Sequence, residues 1–570
     1  MGPAPALCPN VSLVSWSFAR CESWVRRQCL LSTPVAAGGR AASGRSAPAD
    51  PMSEPRPRAS AHILHELSRR LDPGTAAQRD SALEGAAATA AEAPAATLVP
   101  DVARVRAADL SYDDFVQHYM APGLPVLIAG VTTDWPCQRD FTKGATGATS
   151  TPIDLEFLRE RFGSAKVCAT CVPGSVDDGY GEAEIREMTV AEYVAWWAAR
   201  SARPDSAASG DQPGGHQRHH GVQAAGHFLL YLKDWHMVAE FPGYAAYQTP
   251  EYFADDWLNG FYDERAARGA GLKASTADYR FVYLGPRGTS TPLHADVLRS
   301  FSWSVNLAGK KAWRLVPPDL THHLLDSHGN VAPSLTRKHA DSCPRRKHLL
   351  ASLRGSSASA CADAVAASCA CGASAAIPES TARRFPGLEA ASQAAVVVTQ
   401  GVGEAIFVPS GWFHDVRNVE DTLSINHNWC NGFNIGWVAR LFIAELGAAE
   451  AGIADCRELC ATGGEFFALV ERNAAANCGL GLAGMTELLG FAVRRAEAEM
   501  RDSGGTGASE RAAAAARWDL AAARQPLVQL AAWVGPLGAS AEFQGHAEEV
   551  QRLLGAVDVA LARNDAAVAR

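Results

Sequence analysis

The stretch TPLHADVLRSFSWSVNLAGKKAW (residues 291–313) places His294 and Asp296 on a predicted strand, with Lys311 seventeen residues after His294. Side chains two residues apart on a strand point to the same face. An imidazole and a carboxylate in that arrangement can occupy two adjacent positions around one metal ion. The stretch therefore predicts part of a metal site, whose third ligand has to come from another segment.

A third ligand is predicted in GEAIFVPSGWFHDVRN (residues 403–418), where His414 follows a Pro409-Ser410-Gly411 turn between two apolar runs. The spacing G-x5-P-x-G-x2-H-x3-N resembles the second metal motif of cupin barrels. Two His and one carboxylate leave about three coordination positions open, as in non-haem Fe(II) oxygenases. A structural zinc would be fully enclosed, usually with Cys among its ligands. We therefore predict a reactive metal at His294, Asp296 and His414.

Composition favours an enzyme with additional segments. The chain has 570 residues, of which 47% are hydrophobic, and its length predicts two or three domains. The net charge of -9 argues against direct nucleic-acid binding. The absence of an apolar run of about 18 residues predicts no membrane span. The fourteen scattered Cys suit reduced thiols, and we expect a cytoplasmic protein.

Other metal-binding residue types are interpreted as bystanders. Cys pairs at 168/171 and 369/371 lack a second pair at finger spacing, and His216, His219 and His220 lie in a polar low-complexity tract. The string His339-Ala340-Asp341 repeats the first metal motif, but basic residues and prolines surround it. We assign this second copy to a solvated loop.

The pattern of segments predicts the organisation of the chain. Residues 1–98 are Ala-, Ser-, Pro- and Arg-rich with no acidic residue before Glu22, which fits either a disordered tail or an organellar transit peptide. Residues 99–226 form the N-terminal α/β part of the catalytic fold, with a flexible loop at 201–226. Residues 227–436 contain many short strands, typical of a barrel, interrupted by a low-complexity insert at 329–395.

Helical periodicity dominates residues 437–570. These helices either pack on the barrel or pair with a second subunit in a homodimer, and the sequence leaves both arrangements open. The predicted fold class is mainly β with helices: a double-stranded β-helix of the jelly-roll or cupin type, with N-terminal α/β elements and a C-terminal helical region.

Several long strings resemble the JmjC 2-oxoglutarate oxygenases across residues 99–445, apart from the two loops. They are HAD at 294–296 with SFSWSVNLAGKKAWRLVPP, then VPSGWFH and SINHNWCNGFN. The strings YLKDWH (231–236), DWLNGFYD (256–263) and DYRFVYLGP (278–286) resemble one branch of that family, jumonji-domain-containing protein 4, whose members are lysyl hydroxylases acting on the eukaryotic translation release factor.

This resemblance implies a cofactor site. Fe(II) on the His-Asp-His triad would chelate 2-oxoglutarate and leave a position for O2. Lys311 matches the lysine that binds the distal carboxylate of 2-oxoglutarate, whereas Lys310 should point to the other face of a regular strand. Thr291 and Tyr231 match hydroxyl partners of the same carboxylate, and Asn428 matches a site asparagine. The cosubstrate is the expected partner of Asn428.

The implied function is hydroxylation of a protein lysine, with the translation release factor as substrate and translation termination as the process. A histone lysine demethylase is a second reading, disfavoured because the sequence has no reader-type zinc module or basic nuclear segment. A non-catalytic JmjC binding module is a third. The intact triad and Lys311 argue against it. A nuclear or organellar location remains an alternative to the cytoplasm.

Overall fold

A computed structural model describes residues 57–70, 101–144, 152–173, 184–201, 228–269, 278–327, 329–335, 379–502 and 507–568. The His tract at 216–220, Cys369, Cys371 and the second HAD string lie outside these residues. The strands are β1 (Ala103–Arg106), β2 (Val126–Ala129), β3 (Lys166–Pro173), β4 (Ile185–Thr189), β5 (Phe228–Trp235), β6 (Arg280–Gly285), β7 (Ser290–His294), β8 (Phe301–Ala308), β9 (Lys311–Val316), β10 (Val396–Gln400), β11 (Glu404–Val408), β12 (Phe413–Asn418) and β13 (Thr422–Trp429).

The α-helices include one N-terminal to the sheets, several between strands and a long C-terminal series. They are α1 (Ala61–Arg70), α2 (Tyr112–Phe115), α3 (Pro136–Asp140), α4 (Leu155–Phe162), α5 (Val190–Ser201), α6 (Met237–Glu240), α7 (Trp257–Ala267), α8 (Glu379–Arg384), α9 (Leu388–Ala394), α10 (Ile435–Gly452), α11 (Gly463–Cys478), α12 (Leu482–Asp502), α13 (Gly507–Val534) and α14 (Gln544–Val568).

The described strands form two sheets that face each other. The larger sheet has nine strands in the order β1-β2-β11-β8-β13-β6-β5-β3-β4, and the smaller has four in the order β10-β9-β12-β7. Lys311 on the smaller sheet bonds Ser424 on the larger one across the interior. This arrangement confirms the predicted cupin-like double-stranded β-helix with a C-terminal helical region.

Alternation along the strands separates the two faces of the larger sheet. In β8, Trp303, Val305 and Leu307 are buried in a hydrophobic core shared with the N-terminal helices. The residues that alternate with them, Ser302 and Ser304, face the barrel interior because side chains alternate along a strand. The outer face therefore supplies hydrophobic burial, while polar groups line the inside.

The C-terminal helices share a second core with the barrel. Helix α7 contributes Trp257, Leu258 and Phe261 to this core, where they join Phe442 of α10 and Leu488 of α12. The structure thus places these apolar faces inside one chain, against the barrel. A homodimer through these helices remains a prediction.

Residues 57–70, inside the predicted disordered or targeting extension over residues 1–98, are ordered, and the targeting alternative stays a prediction. Helix α1 follows Ala59, which is buried together with Ile63 and Leu64. Arg58 Nη1 lies 3.1 Å from Asp255 of the barrel and 3.0 Å from Asp519 of α13. A buried guanidinium therefore joins three parts of the chain.

Arg58 belongs to a larger buried charge cluster. Nη2 of Arg58 pairs with Glu499 of α12. Arg495, also in α12, pairs with Asp255. Burial raises the pKa of Asp519 to about 7, against the opposing effect of the nearby guanidinium of Arg58. Ion pairs this deep are costly unless every partner is present.

The ends of the predicted insert also belong to the fold. Leu335 and Phe385 are buried in the core beneath the smaller sheet. The amide of Leu335 donates to Asp415 Oδ2 at 3.1 Å, and the amide of Leu293 donates to the Pro333 carbonyl at 2.9 Å. Low complexity in the middle of this segment concealed buried residues at both ends. Only residues 336–378 lie outside the described part.

Two compositional predictions can be compared with the described residues. Every cysteine in those ranges is a free thiol. No single helix among them is long and apolar enough to cross a bilayer, while Gly463–Cys478 and Leu482–Arg501 pass that test only as a pair with a 65° bend.

We predict that Leu335→Ala lowers the free energy of unfolding by about 2–5 kcal/mol, because it removes a buried side chain and leaves a cavity. Urea denaturation measures the change. Val402→Ala is the matched control, since Val402 is 38% exposed and surface changes cost within about 0.5 kcal/mol. Equal stability of the two variants would show that the start of the insert is peripheral.

Candidate metal centre

Three predicted ligands converge at one end of the barrel. His294 ends β7 and lies opposite His414 of β12 in the antiparallel register, with ring centroids 4.3 Å apart. Asp296 follows just beyond the end of β7, and its Oδ2 lies 3.9 Å from His414 Nε2. The potential ligand atoms of the three residues lie within 4.8 Å of one another, and no other such cluster occurs among the described residues.

A tight turn delivers His414 to this position. Gly411 has a φ of 79°, a left-handed conformation that favours glycine. A Cβ at Gly411 would also lie 2.8 Å from the Trp437 ring. The turn carries the chain from β11 of the larger sheet to β12 of the smaller one, so a glycine at position 411 is a requirement of the backbone.

Backbone carbonyls orient both imidazoles. Nδ1 of His294 lies 2.8 Å from the Pro292 oxygen, and Nδ1 of His414 lies 3.1 Å from the Trp412 oxygen. A proton on each Nδ1 leaves the Nε2 lone pair for a metal, as is usual for metal-bound His. Burial, and then the neighbouring His414, lowers the pKa of His294 to about 4. His294 is therefore neutral near pH 7, which fits a divalent cation.

Side chains from the larger sheet hold the Asp296 carboxylate. Ser302 Oγ donates to Oδ2 at 2.8 Å, and Asn428 Nδ2 donates to Oδ1 at 3.0 Å. Asn428 thus bonds a predicted metal ligand, and its predicted contact with the cosubstrate stays a prediction. Sequence reasoning missed Ser302. Its signal was the alternation Ser302, Ser304, Asn306 within an otherwise apolar strand.

Lys311 is a buried cation inside the barrel. It is 2% exposed, and its Nζ donates to Ser424 Oγ at 2.6 Å. Burial lowers its pKa to about 7, and no carboxylate forms an ion pair with it in the described part of the chain. Lys310 instead lies outside, with its Nζ 2.8 Å from Glu420. The interior therefore presents a cation suited to a carboxylate ligand.

Two further predicted residues lie together. The buried phenol of Tyr231 interacts with the side chains of Thr291 and Asn418. Asn418 pairs with Lys311 in the register of β12 with β9. Tyr231, Thr291 and Lys311 therefore approach one region of the interior, and Asn428 lies at the metal end.

The site and fold agree with comparisons to known proteins. Residues 112–435, more than half of the chain, match the family described as a cupin-like domain. The chain belongs to the cupin-like JmjC family. This membership confirms the resemblance seen in the motif strings.

Named relatives of this JmjC chain include both oxygenases and a demethylase. "Arginine-specific demethylase JMJ20" of Arabidopsis thaliana is 33% identical over 68% of this chain and 68% of its own. "2-oxoglutarate and iron-dependent oxygenase JMJD4 homolog" of Drosophila melanogaster is 32% identical over 69% and 79%. Human "2-oxoglutarate and iron-dependent oxygenase JMJD4" is 33% identical over 61% and 66%.

We predict that alanine at His294, Asp296 or His414 abolishes iron retention, because each change removes one of only three protein ligands. Metal analysis after gel filtration measures retention. His339→Ala, in the repeated HAD string, is the control and should retain iron like the unmodified protein. The assignment is wrong if His339→Ala loses iron while His294→Ala keeps it.

We predict that 2-oxoglutarate binding weakens as pH rises above about 7. In the protein without cosubstrate, burial lowers the pKa of Lys311 to about 7, so Lys311 loses its proton above that pH. Only its ammonium form attracts a carboxylate. Lys311→Ala should bind the cosubstrate weakly at every pH, since a broken buried pair costs about 3–5 kcal/mol. Anaerobic calorimetry of the metal-loaded protein measures both effects.

Lys310→Ala is the matched control for this prediction, since the neighbouring lysine pairs with Glu420 on the outside. It should reproduce the pH dependence of the unmodified protein. Similar losses in the two lysine variants would contradict the interior role of Lys311.

Proposed function

We propose that this chain is an Fe(II)- and 2-oxoglutarate-dependent dioxygenase that hydroxylates a protein lysine. The observation that carries the proposal is the pairing of a His-Asp-His cluster with a buried cation, Lys311, in one barrel. The names of the fly and human relatives support the same cofactors.

The residues that would bind the iron and those that would bind the cosubstrate lie at two ends of the barrel interior. His294, Asp296 and His414 would hold the iron, which, together with 2-oxoglutarate, supplies oxidative chemistry when bound. Lys311, Tyr231 and Thr291 would bind the distal carboxylate and orient the cosubstrate. The reaction consumes 2-oxoglutarate, O2 and a C–H bond, and yields succinate, CO2 and a C–OH group.

Burial around Lys311 contributes to this binding. The ring centroids of Tyr283 and Trp313 lie 5.7 and 5.9 Å from its Nζ and exclude water from one side. In such surroundings an ion pair is stronger than in water. The ammonium therefore favours a dianionic cosubstrate over a neutral one.

A carboxylate near this site suits a cationic target. Asp234 lies in the irregular part of β5 with a φ of 54°, an uncommon conformation that other contacts must stabilise. Its Oδ1 accepts a 2.7 Å hydrogen bond from the Tyr283 hydroxyl. Burial, followed by Asp234 and more weakly Asp296, raises the pKa of Tyr283 well above its usual range. Asp234 is only partly buried, so its carboxylate can form an ion pair with the ammonium of a substrate lysine.

The release factor is the first candidate substrate. Support comes from the resemblance of the YLKDWH, DWLNGFYD and DYRFVYLGP strings to the jumonji-domain-containing protein 4 branch. A demethylase is the second candidate function, because the Arabidopsis relative is named an arginine-specific demethylase. A demethylase would oxidise an N-methyl group and release formaldehyde.

We predict that the iron- and 2-oxoglutarate-loaded protein adds one oxygen atom to an unmodified lysine of the translation release factor. Peptide mass spectrometry locates the change, and His294→Ala is the inactive control. Peptides carrying methyl-lysine or methyl-arginine are incubated in parallel. Loss of a methyl group with formaldehyde, and no gain of oxygen on lysine, would instead establish the demethylase.

A further inference from the structure

The two oxygens of the Asp296 carboxylate have different surroundings. Oδ2 is the oxygen 3.9 Å from His414 Nε2, so it faces the other ligands, and it also accepts from Ser302. Oδ1 accepts from Asn428 Nδ2 at 3.0 Å. A carboxylate oxygen has lone pairs for both a metal and a hydroxyl donor. Oδ2 can therefore bind metal without losing Ser302, whereas Oδ1 is directed at Asn428.

The backbone of Asn428 is fixed on both sides. Its backbone N–H donates to the Tyr279 carbonyl oxygen at 3.0 Å, and its backbone carbonyl oxygen accepts from Asn259 Nδ2 at 3.0 Å. Asn259 is 1% exposed in α7, where Asp256 accepts from its backbone amide at 3.0 Å. The Asn428 side chain also lies 3.2 Å from Ser300 Oγ. Asn428 Nδ2 therefore donates to Ser300 Oγ and to Asp296 Oδ1 from a backbone that is held in place.

Rotation of Asp296 is the movement that matters for the metal. To bind through both oxygens, the carboxylate would have to turn Oδ1 towards the iron and break the Asn428 hydrogen bond. Binding through one oxygen keeps that bond. The hydrogen bond from Asn428 Nδ2 to Oδ1 therefore favours the one-oxygen geometry.

We propose that Asn428 is a positioning residue that keeps Asp296 a one-oxygen ligand, and so preserves the coordination position needed by dioxygen. The inference rests on the proposed function. With one-oxygen binding, about three positions remain, enough for chelated 2-oxoglutarate and one small molecule. A second oxygen from Asp296 would fill the last of them once 2-oxoglutarate is bound.

Nitric oxide tests this position directly, because it binds open positions of Fe(II) and gives a characteristic EPR signal without turnover. The unmodified, iron-loaded protein should form the nitric oxide adduct with and without 2-oxoglutarate. Asn428→Ala should form it without 2-oxoglutarate, but at least about tenfold less of it at saturating 2-oxoglutarate, a typical size for loss of a partner of a metal ligand.

Two matched variants separate positioning from general damage. Ser302→Ala removes the bond to the coordinating oxygen, so it should weaken iron binding by about 10–100-fold yet retain the adduct with 2-oxoglutarate. The second variant is Asn426→Ala. Asn426 lies two residues before Asn428 on the same face of β13, and its side chain bonds Ser424 instead of Asp296. This variant should retain both iron affinity and the adduct.

The possible outcomes are distinct. If the unmodified protein binds no iron or forms no adduct, the proposed function fails and this inference fails with it. If the unmodified protein behaves as expected and Asn428→Ala keeps the full adduct with 2-oxoglutarate, the inference alone is overturned. Circular dichroism checks that each variant folds. If Asn428→Ala does not fold, Asn428→Leu replaces it, because leucine is similar in size to asparagine and has no hydrogen-bond donor. Asn428→Leu should show the same loss of the nitric oxide adduct at saturating 2-oxoglutarate.

Discussion

The antiparallel pairing of β7 with β12 is the constraint on which the metal centre depends. It sets His294 opposite His414, and a shift of one residue would turn one imidazole to the other face. The same strand β12 pairs with β9, which carries Lys311. One four-stranded sheet therefore fixes the spacing between the two His ligands and the interior cation. The Gly411 turn leads into β12, and the ordered start of the insert bonds Asp415 of the same strand.

The opposite sheet completes the centre. Strand β13 presents Ser424 to Lys311 and Asn428 to Asp296, and Asn426 lies between them on the same face. Such a polar row inside a barrel contributes little hydrophobic stabilisation. That stabilisation comes instead from the outer face, where Trp303 packs on Phe253 with ring centroids 5.5 Å apart. The larger sheet thus stabilises the fold on one side and orients ligands on the other.

Short-range patterns carried most of what could be predicted from the sequence. His294, His414 and Lys311 lie in motifs whose strand period and turn residues have direct structural meaning, so their convergence needed only the barrel topology. Asp296 follows the end of β7, so strand alternation does not account for its place beside His294. Contacts between the two sheets were less accessible, which is why Ser302 was missed as a partner of Asp296. The predicted contact of Asn428 with the cosubstrate stays a prediction. Composition was a poor guide at segment ends. The insert contains buried Leu335 and Phe385, and the N-terminal extension contains an ordered helix.

The ion pairs of Arg58 show that the folded unit begins earlier in the chain than the residues that resemble the catalytic family. A shortened chain beginning at residue 99 would keep every residue of the metal centre and lack this guanidinium. Asp255, Asp519 and Glu499 would then share Arg495 as the remaining cation of the cluster. The pKa of buried Asp519, already about 7, would rise further. Folding of such a fragment would bind a proton, so raising the pH would lower the stability of a protein whose metal centre is complete.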